Sequence, residues 1–184
     1  MSKDQSNYLV QPDYCAERKA DYKAGEKMNA KFKMVSRKEV HKNQSDGLNG
    51  NVSSYVTVSR ETRKVTIHKE YPDTIKKKAQ VALYEAISSA LALYRIICMF
   101  KNPQISLEGA DGYKCPWFAY FKHEKTGAYI ALGEWKGAFG LWTSFNSPEE
   151  FNGELKEDTI ALLNLIMSDK SPHPYDRTTA GSVA

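Results

Sequence analysis

The chain has 184 residues, 41% hydrophobic and 26% charged, an ordinary globular composition with enough length to bury a core in one domain or two fused halves. Its net charge of +4 is unevenly spread: residues 1–103 carry +8 and residues 104–184 carry −4, which leaves the first half either a solvated basic face or a surface for a polyanion. Three cysteines without paired spacing exclude a disulfide framework and suggest a reduced, cytoplasmic protein, while Glu85 and Arg95 leave only nine uncharged residues between them, too few for a membrane span.

In chain order, residues 1–28 are polar and weakly patterned, with a short helix possible over 13–24 and a flexible extreme end. From Ala30 to Val40 the sequence alternates, with Phe32 and Met34 opposite Lys31, Lys33, Val35 and Arg37, which predicts a strand with a basic outer face. His41 to Asn51 has the composition of an exposed loop. The segments SSYVTVSR and RKVTIHKEY predict a hairpin, with Val56 and Val58 packing beside Val65 and Ile67 and a turn near Glu61–Thr62.

Thr74 to Phe100 carries apolar residues at three- and four-residue spacing, from Ile75 through Leu83, Ala90 and Ile97, and reads as one long buried helix. A short strand is expected at Ile105–Leu107, with a turn at Asp111–Gly112. Three strands follow, PWFAYFKH, GAYIALGEW and AFGLWTSF, joined by turns at Glu124–Gly127 and Lys136–Gly137. Ser147-Pro148-Glu149-Glu150 is a helix start, and Phe151, Leu155, Thr159, Leu162 and Ile166 would line the buried face of that helix. The composition beyond Ser168 predicts a disordered tail. The fold class is α+β: strands, helix, strands, helix over a domain of residues 29–167, with halves 29–101 and 102–167.

Templates for catalysis are missing. There is no phosphate-binding glycine loop and no dinucleotide fingerprint, and His41, His68, His123 and His173 are too scattered to form a metal set by spacing. No cofactor is implied. His123-Glu124 falls at a hairpin tip, where a solvated histidine is expected.

Two features point towards binding. Lys76, Lys77 and Lys78 would stand in the first turn of the long helix, where the helix dipole disfavours cations unless water or an anion neutralises them. The three aromatic strands place apolar or aromatic residues on both faces, so the second face needs the rest of the chain, another subunit or a stacking ligand to cover it.

The leading expectation is therefore a non-enzymatic nucleic-acid-binding protein that favours single strands. Lys31, Lys33, Arg37, Lys38, Arg60, Arg63, Lys64 and the Lys76–Lys78 cluster would meet phosphates, and Tyr55, Tyr129, Trp135 and Trp142 are the stacking candidates. The element order is similar to that of the Whirly type of single-strand binder and the related coactivator-type fold, over roughly residues 30–167. Of the Whirly lysine-glycine-lysine motif, the chain has only Lys136-Gly137, followed by Ala138, so the resemblance transfers no functional residue. The competing expectation is a protein-interaction module, an accessory or inhibitory factor of viral or mobile-element type, that docks on an intracellular protein or self-associates.

Overall fold

The computed structural model describes residues 25–44, 48, 50–72, 78–100, 104–107, 116–144 and 150–168. The expectations for positions 1–24, Lys76, Lys77, the Asp111–Gly112 turn, Ser147–Glu149 and the tail beyond Ser168 lie outside these residues. The described elements are β1 (Phe32–Val35), α1 (Arg37–Asn43), β2 (Gly50–Asn51), a 3-10 turn (Ser53–Tyr55), β3 (Val56–Ser59), β4 (Val65–Ile67), β5 (Gln80–Ala82), α2 (Leu83–Ala86) and α3 (Ser89–Met99), then β6 (Ile105–Leu107), β7 (Trp117–His123), β8 (Tyr129–Trp135), β9 (Ala138–Thr143) and α4 (Gly153–Met167). Helices combined with antiparallel strands make this an α+β fold.

The strands form a larger sheet in the order β1-β7-β8-β9-β2, with β6 also beside β7, and a smaller sheet in the order β4-β3-β5. Side-chain alternation sets what the larger sheet does on each side. Its inner face carries Phe32, Met34, Phe121, Ile130, Leu132 and Leu141 into one core with the valines of the smaller sheet and with α3 and α4. The outer face carries Val35, Tyr120, Tyr129 and Ala131 into a second, smaller cluster.

The hairpin of the smaller sheet has the expected register. Val56 lies opposite Ile67 and Val58 opposite Val65, with Arg60 to Thr62 in the turn. Arg63 closes that turn in the left-handed region at φ 60°. The β8–β9 turn is also as expected: Lys136 and Gly137 both have positive φ, 52° and 83°, the pair of values a two-residue hairpin loop requires.

Three expectations are corrected. The long helix over 74–100 is not continuous: Lys78 and Ala79 form a turn, Gln80–Ala82 pairs with β3, and Ile87 is extended at φ −151° and ψ 143°. The helix restarts because Ser88 caps it, its hydroxyl accepting from the Leu91 N–H at 3.2 Å. The apolar periodicity of this stretch is satisfied by a buried strand, a helical turn and a helix in succession. The strand expected from Ala30 to Val40 stops at Val35, because the Ser36 hydroxyl accepts from the Glu39 N–H at 3.1 Å and starts α1. That helix takes residues 41–43 out of the expected loop. The last helix begins at Gly153 rather than beside Pro148, with Glu150 in a turn. Its predicted inner face is nevertheless correct: Phe151, Leu155, Thr159, Leu162 and Ile166 are all buried.

Arg95 and Asn164 are among the polar side chains that fasten α4. Arg95 on α3 is buried and donates to the Ile166 carbonyl, one of the C-terminal carbonyls that the helix itself cannot satisfy. Asn164 accepts from the Val65 N–H at 2.7 Å, closing a backbone donor on β4.

Candidate nucleic-acid interface

The outer face of the larger sheet is built in rows across the strands. One row joins Lys33 on β1, Lys122 on β7 and Tyr129 on β8. The next joins Val35, Tyr120, Ala131 and Trp142, with Asn51 beside Trp142. A third joins Ser106, Phe118, Gly133 and Gly140, and Trp135 with Ala138 ends the face.

On this face lies α1, which follows β1, and Leu48 packs against the same outer-face cluster. Val40 is the buried residue of α1, packed with Val35, Tyr120, Tyr129 and Ala131. At about 100° per residue, Glu39 and Asn43 fall on one flank of Val40, and Arg37 and His41 on the other. The first flank meets Tyr129, whose hydroxyl donates to Glu39 Oε2 at 3.4 Å and also hydrogen-bonds Asn43. Burial, then the Glu39 charge and its hydrogen bond, push the Tyr129 hydroxyl above its ordinary value. On the second flank, away from Tyr129, Arg37 Nε donates to His41 Nε2 at 3.2 Å.

Beyond α1 the face is aromatic. Gly133 and Gly140 are direct cross-strand partners, so two adjacent positions lack side chains. The Phe118 ring fills the space over the first: a Cβ at Gly133 would lie 2.4 Å from its Cδ1 and 2.5 Å from the Trp117 carbonyl oxygen. The Trp142 ring approaches the second, where a Cβ would lie 2.7 Å from its Cη2 and from Ser53 Oγ. The two rings meet edge to face, 5.3 Å between centroids, and both are half-buried. Trp135, at 51% exposure, stands at the end of the same face. The arrangement is a low aromatic floor with a basic helix along one side, able to take a flat π-system on its rings and a phosphate on the helix.

The sequence-predicted basic residues separate into two groups. Lys33, Arg37 and Lys38 are exposed on or beside the outer face, and Lys122, missed from the sequence, lies directly opposite Lys33. Lys31 is committed elsewhere, with its ammonium 3.0 Å from Asp158 Oδ1. Arg60, Lys64 and Lys78 are exposed at the far end of the smaller sheet, drawn together where the Arg60 N–H donates to the Ala79 carbonyl. Arg63 is half-buried and donates to the Ala86 carbonyl. Lys78 sits in a turn that leads into β5 and not in the first turn of a helix, while Lys76 and Lys77 lie outside the described residues.

Among the stacking candidates, Trp135 and Trp142 lie on the aromatic part of the outer face, the first exposed and the second half-buried. Tyr129 is buried beneath α1, and Tyr55 belongs to the 3-10 turn, where it contacts Tyr71. His123, expected at a solvated tip, is fully buried against the Phe32 ring and hydrogen-bonded to Thr126 and Asp158. Phe118, Gly133 and Gly140 are not singled out by the strand pattern in which they occur. The available signal was two glycines inside predicted strands, where a ring or a backbone comes close.

No helix among the described residues is long and apolar enough to cross a membrane. Compared with protein-family models, curated proteins and solved structures, the chain matches none.

Proposed function

We propose that the protein binds nucleic acid, single strands in preference to duplex, on the outer face of its larger sheet, and that it does so without catalysis. The observation that carries this reading is the seating of Phe118 and Trp142 over the Gly133–Gly140 pair, alongside the α1 flank that bears Arg37 and His41. Unpaired bases can stack on such rings, whereas bases in a duplex already have their faces occupied. Lys33 and Lys122 add to the reading. Like charges directly opposite in a sheet repel, and neither lysine has an ion-pair partner among the described residues, unlike Lys31 and Lys125. A phosphate beside them relieves that repulsion.

The test is a titration with an oligothymidine strand, followed by tryptophan fluorescence because Trp135 and Trp142 flank the floor. Quenching should be saturable, weaken steeply as salt rises and be smaller with the matching duplex. Unchanged fluorescence and mobility with DNA and RNA strands at low salt would refute the reading. A second reading, docking on a protein, is favoured by one observation: Tyr71 and Tyr84 are largely exposed on another part of the surface.

A further inference from the structure

We propose that the Thr126 hydroxyl is an activated nucleophile that takes the acyl group of an activated ester, with His123 as its general base and Asp158 as the positioning residue. The site lies at the tip of the β7–β8 hairpin and stands whether or not nucleic acid binds the aromatic floor.

Three side chains make a relay. Thr126 Oγ1 lies 2.8 Å from His123 Nδ1, and His123 Nε2 lies 2.7 Å from Asp158 Oδ2. A carboxylate only accepts, so the neutral ring holds its proton on Nε2 and leaves Nδ1 as the acceptor for the threonine proton. A hydroxyl within hydrogen-bond reach of a base that a third group orients is the arrangement that makes an alcohol nucleophilic. The two ring nitrogens are used in the reverse order from the serine-protease triad, which changes neither role.

The base is fixed and the nucleophile is accessible. His123 has no exposed surface, and its ring packs on Phe32 with centroids 5.0 Å apart. Asp158 is held through its other oxygen as well, Oδ1 lying 3.0 Å from the Lys31 ammonium. The His123 N–H donates to the Ala128 carbonyl at 2.7 Å and the Gly127 N–H to the His123 carbonyl at 2.8 Å, so backbone bonds close the turn and return Thr126 to the ring. Thr126 itself is exposed, and a Cβ added at Gly127 would meet nothing within 4 Å, which leaves the turn beside the hydroxyl open to a small acyl donor.

In the acylation step Thr126 Oγ1 bonds to the carbonyl carbon of the ester as its own proton passes to His123 Nδ1. The bond from that carbon to the leaving oxygen breaks, and the electron pair departs with the leaving group. The imidazolium, protonated on both nitrogens beside Asp158, then returns the Nδ1 proton to the leaving group or to water. The product is an ester on Thr126, formed stoichiometrically and without oxidation or reduction.

The experiment treats the full chain with p-nitrophenyl acetate, follows p-nitrophenolate release, and locates the acetyl group by peptide mass spectrometry. Thr126 should be acetylated ahead of the lysines. Thr126→Val changes an exposed residue and should abolish that product, whereas Thr126→Ser should retain it. In Asp158→Asn the amide can donate to Nε2, which moves the ring proton to Nδ1 and removes the acceptor. Acetylation of Thr126 should then slow about 100-fold or more, the usual contribution of a general base, with an unchanged circular dichroism spectrum. Acetylation confined to lysines and the N-terminus in the native chain, or Thr126 acetylated equally fast in the native and Asp158→Asn chains, overturns the proposal.

Discussion

His123 Nε2 lies 2.7 Å from Asp158 Oδ2, tying the β7–β8 hairpin to α4 at a point where the imidazole has no exposed surface. A carboxylate only accepts, so the neutral ring carries its proton on Nε2 and takes the Thr126 hydroxyl at Nδ1, 2.8 Å away. Burial alone would raise the Asp158 carboxyl, but the hydrogen bonds from His123 and Lys31 and the Lys31 charge outweigh it and leave the group below its ordinary value of 3.8. A depressed carboxyl contributes stability that is present above the ordinary value and disappears as pH falls through the folded-state value. Asp158→Ala should therefore cost about 1–3 kcal/mol at neutral pH, since it strands a buried N–H. The gap to the native chain should stay level down to about pH 4 and close below it. Urea denaturation across that range checks this, and a gap that persists undiminished in strong acid would show that the carboxylate charge is irrelevant.

The interruption at Ile87–Ser88 makes a prediction whose sign discriminates between two structures. In an unbroken helix Ser88→Ala would stabilise, because alanine is the better interior residue. With Ser88 as the cap of α3, the same change removes the acceptor for the Leu91 N–H and should cost about 1 kcal/mol. Chemical denaturation of the single variant decides it, and a gain in stability would favour the continuous helix.

Those two sites also show where the sequence was legible. The strands β3, β4, β7, β8 and β9 and the inner face of α4 could be read directly, because alternation and helical periodicity are imposed by one buried side. The stretch from Gln80 to Met99 misled because it is apolar on most sides, and a fully buried strand and a buried helix are indistinguishable by periodicity. The cap at Ser88 was the local signal that should have divided it. Likewise, Ser36 followed by Glu39 marks a helix start that the alternation of Phe32 and Met34 obscured. Of the candidate site, the aromatic strands and Arg37 were legible. The floor was not, because it depends on Gly133 meeting Gly140 across two strands, a juxtaposition that only the register creates. His123 was misjudged for the same reason: its partner Asp158 is remote in sequence.

The paired glycines should not tolerate side chains equally. At Gly133 a new Cβ would meet the Phe118 ring at 2.4 Å and the fixed Trp117 carbonyl at 2.5 Å, so neither neighbour can yield cheaply. Gly133→Ala should destabilise by about 1–3 kcal/mol, the usual range for overpacking. At Gly140 the nearest atoms, both at 2.7 Å, are the Ser53 hydroxyl and the outer edge of the Trp142 ring, which can swing away. Gly140→Ala should cost less in thermal denaturation while still disturbing the Trp142 emission spectrum. Equal losses from the two variants would mean that the rings are not seated as described.

If a single strand lies on the outer face, variants should sort by position rather than by residue type. Trp142→Ala and Phe118→Ala each remove a stacking surface, worth about 1–3 kcal/mol per base, and should weaken the oligothymidine complex roughly 5- to 150-fold. Tyr129→Phe should leave binding unchanged, because that ring is buried beneath α1 and its hydroxyl is turned to Glu39. Arg37→Gln and Lys38→Gln should each lower the slope of log affinity against log salt by about 0.7, the value for one single-strand phosphate contact. Arg60→Gln and Lys64→Gln, at the far end of the smaller sheet, should leave that slope alone. Equal slope changes from both groups would move the strand off the aromatic floor, since a short oligonucleotide held by α1 has no reason to reach the other basic cluster.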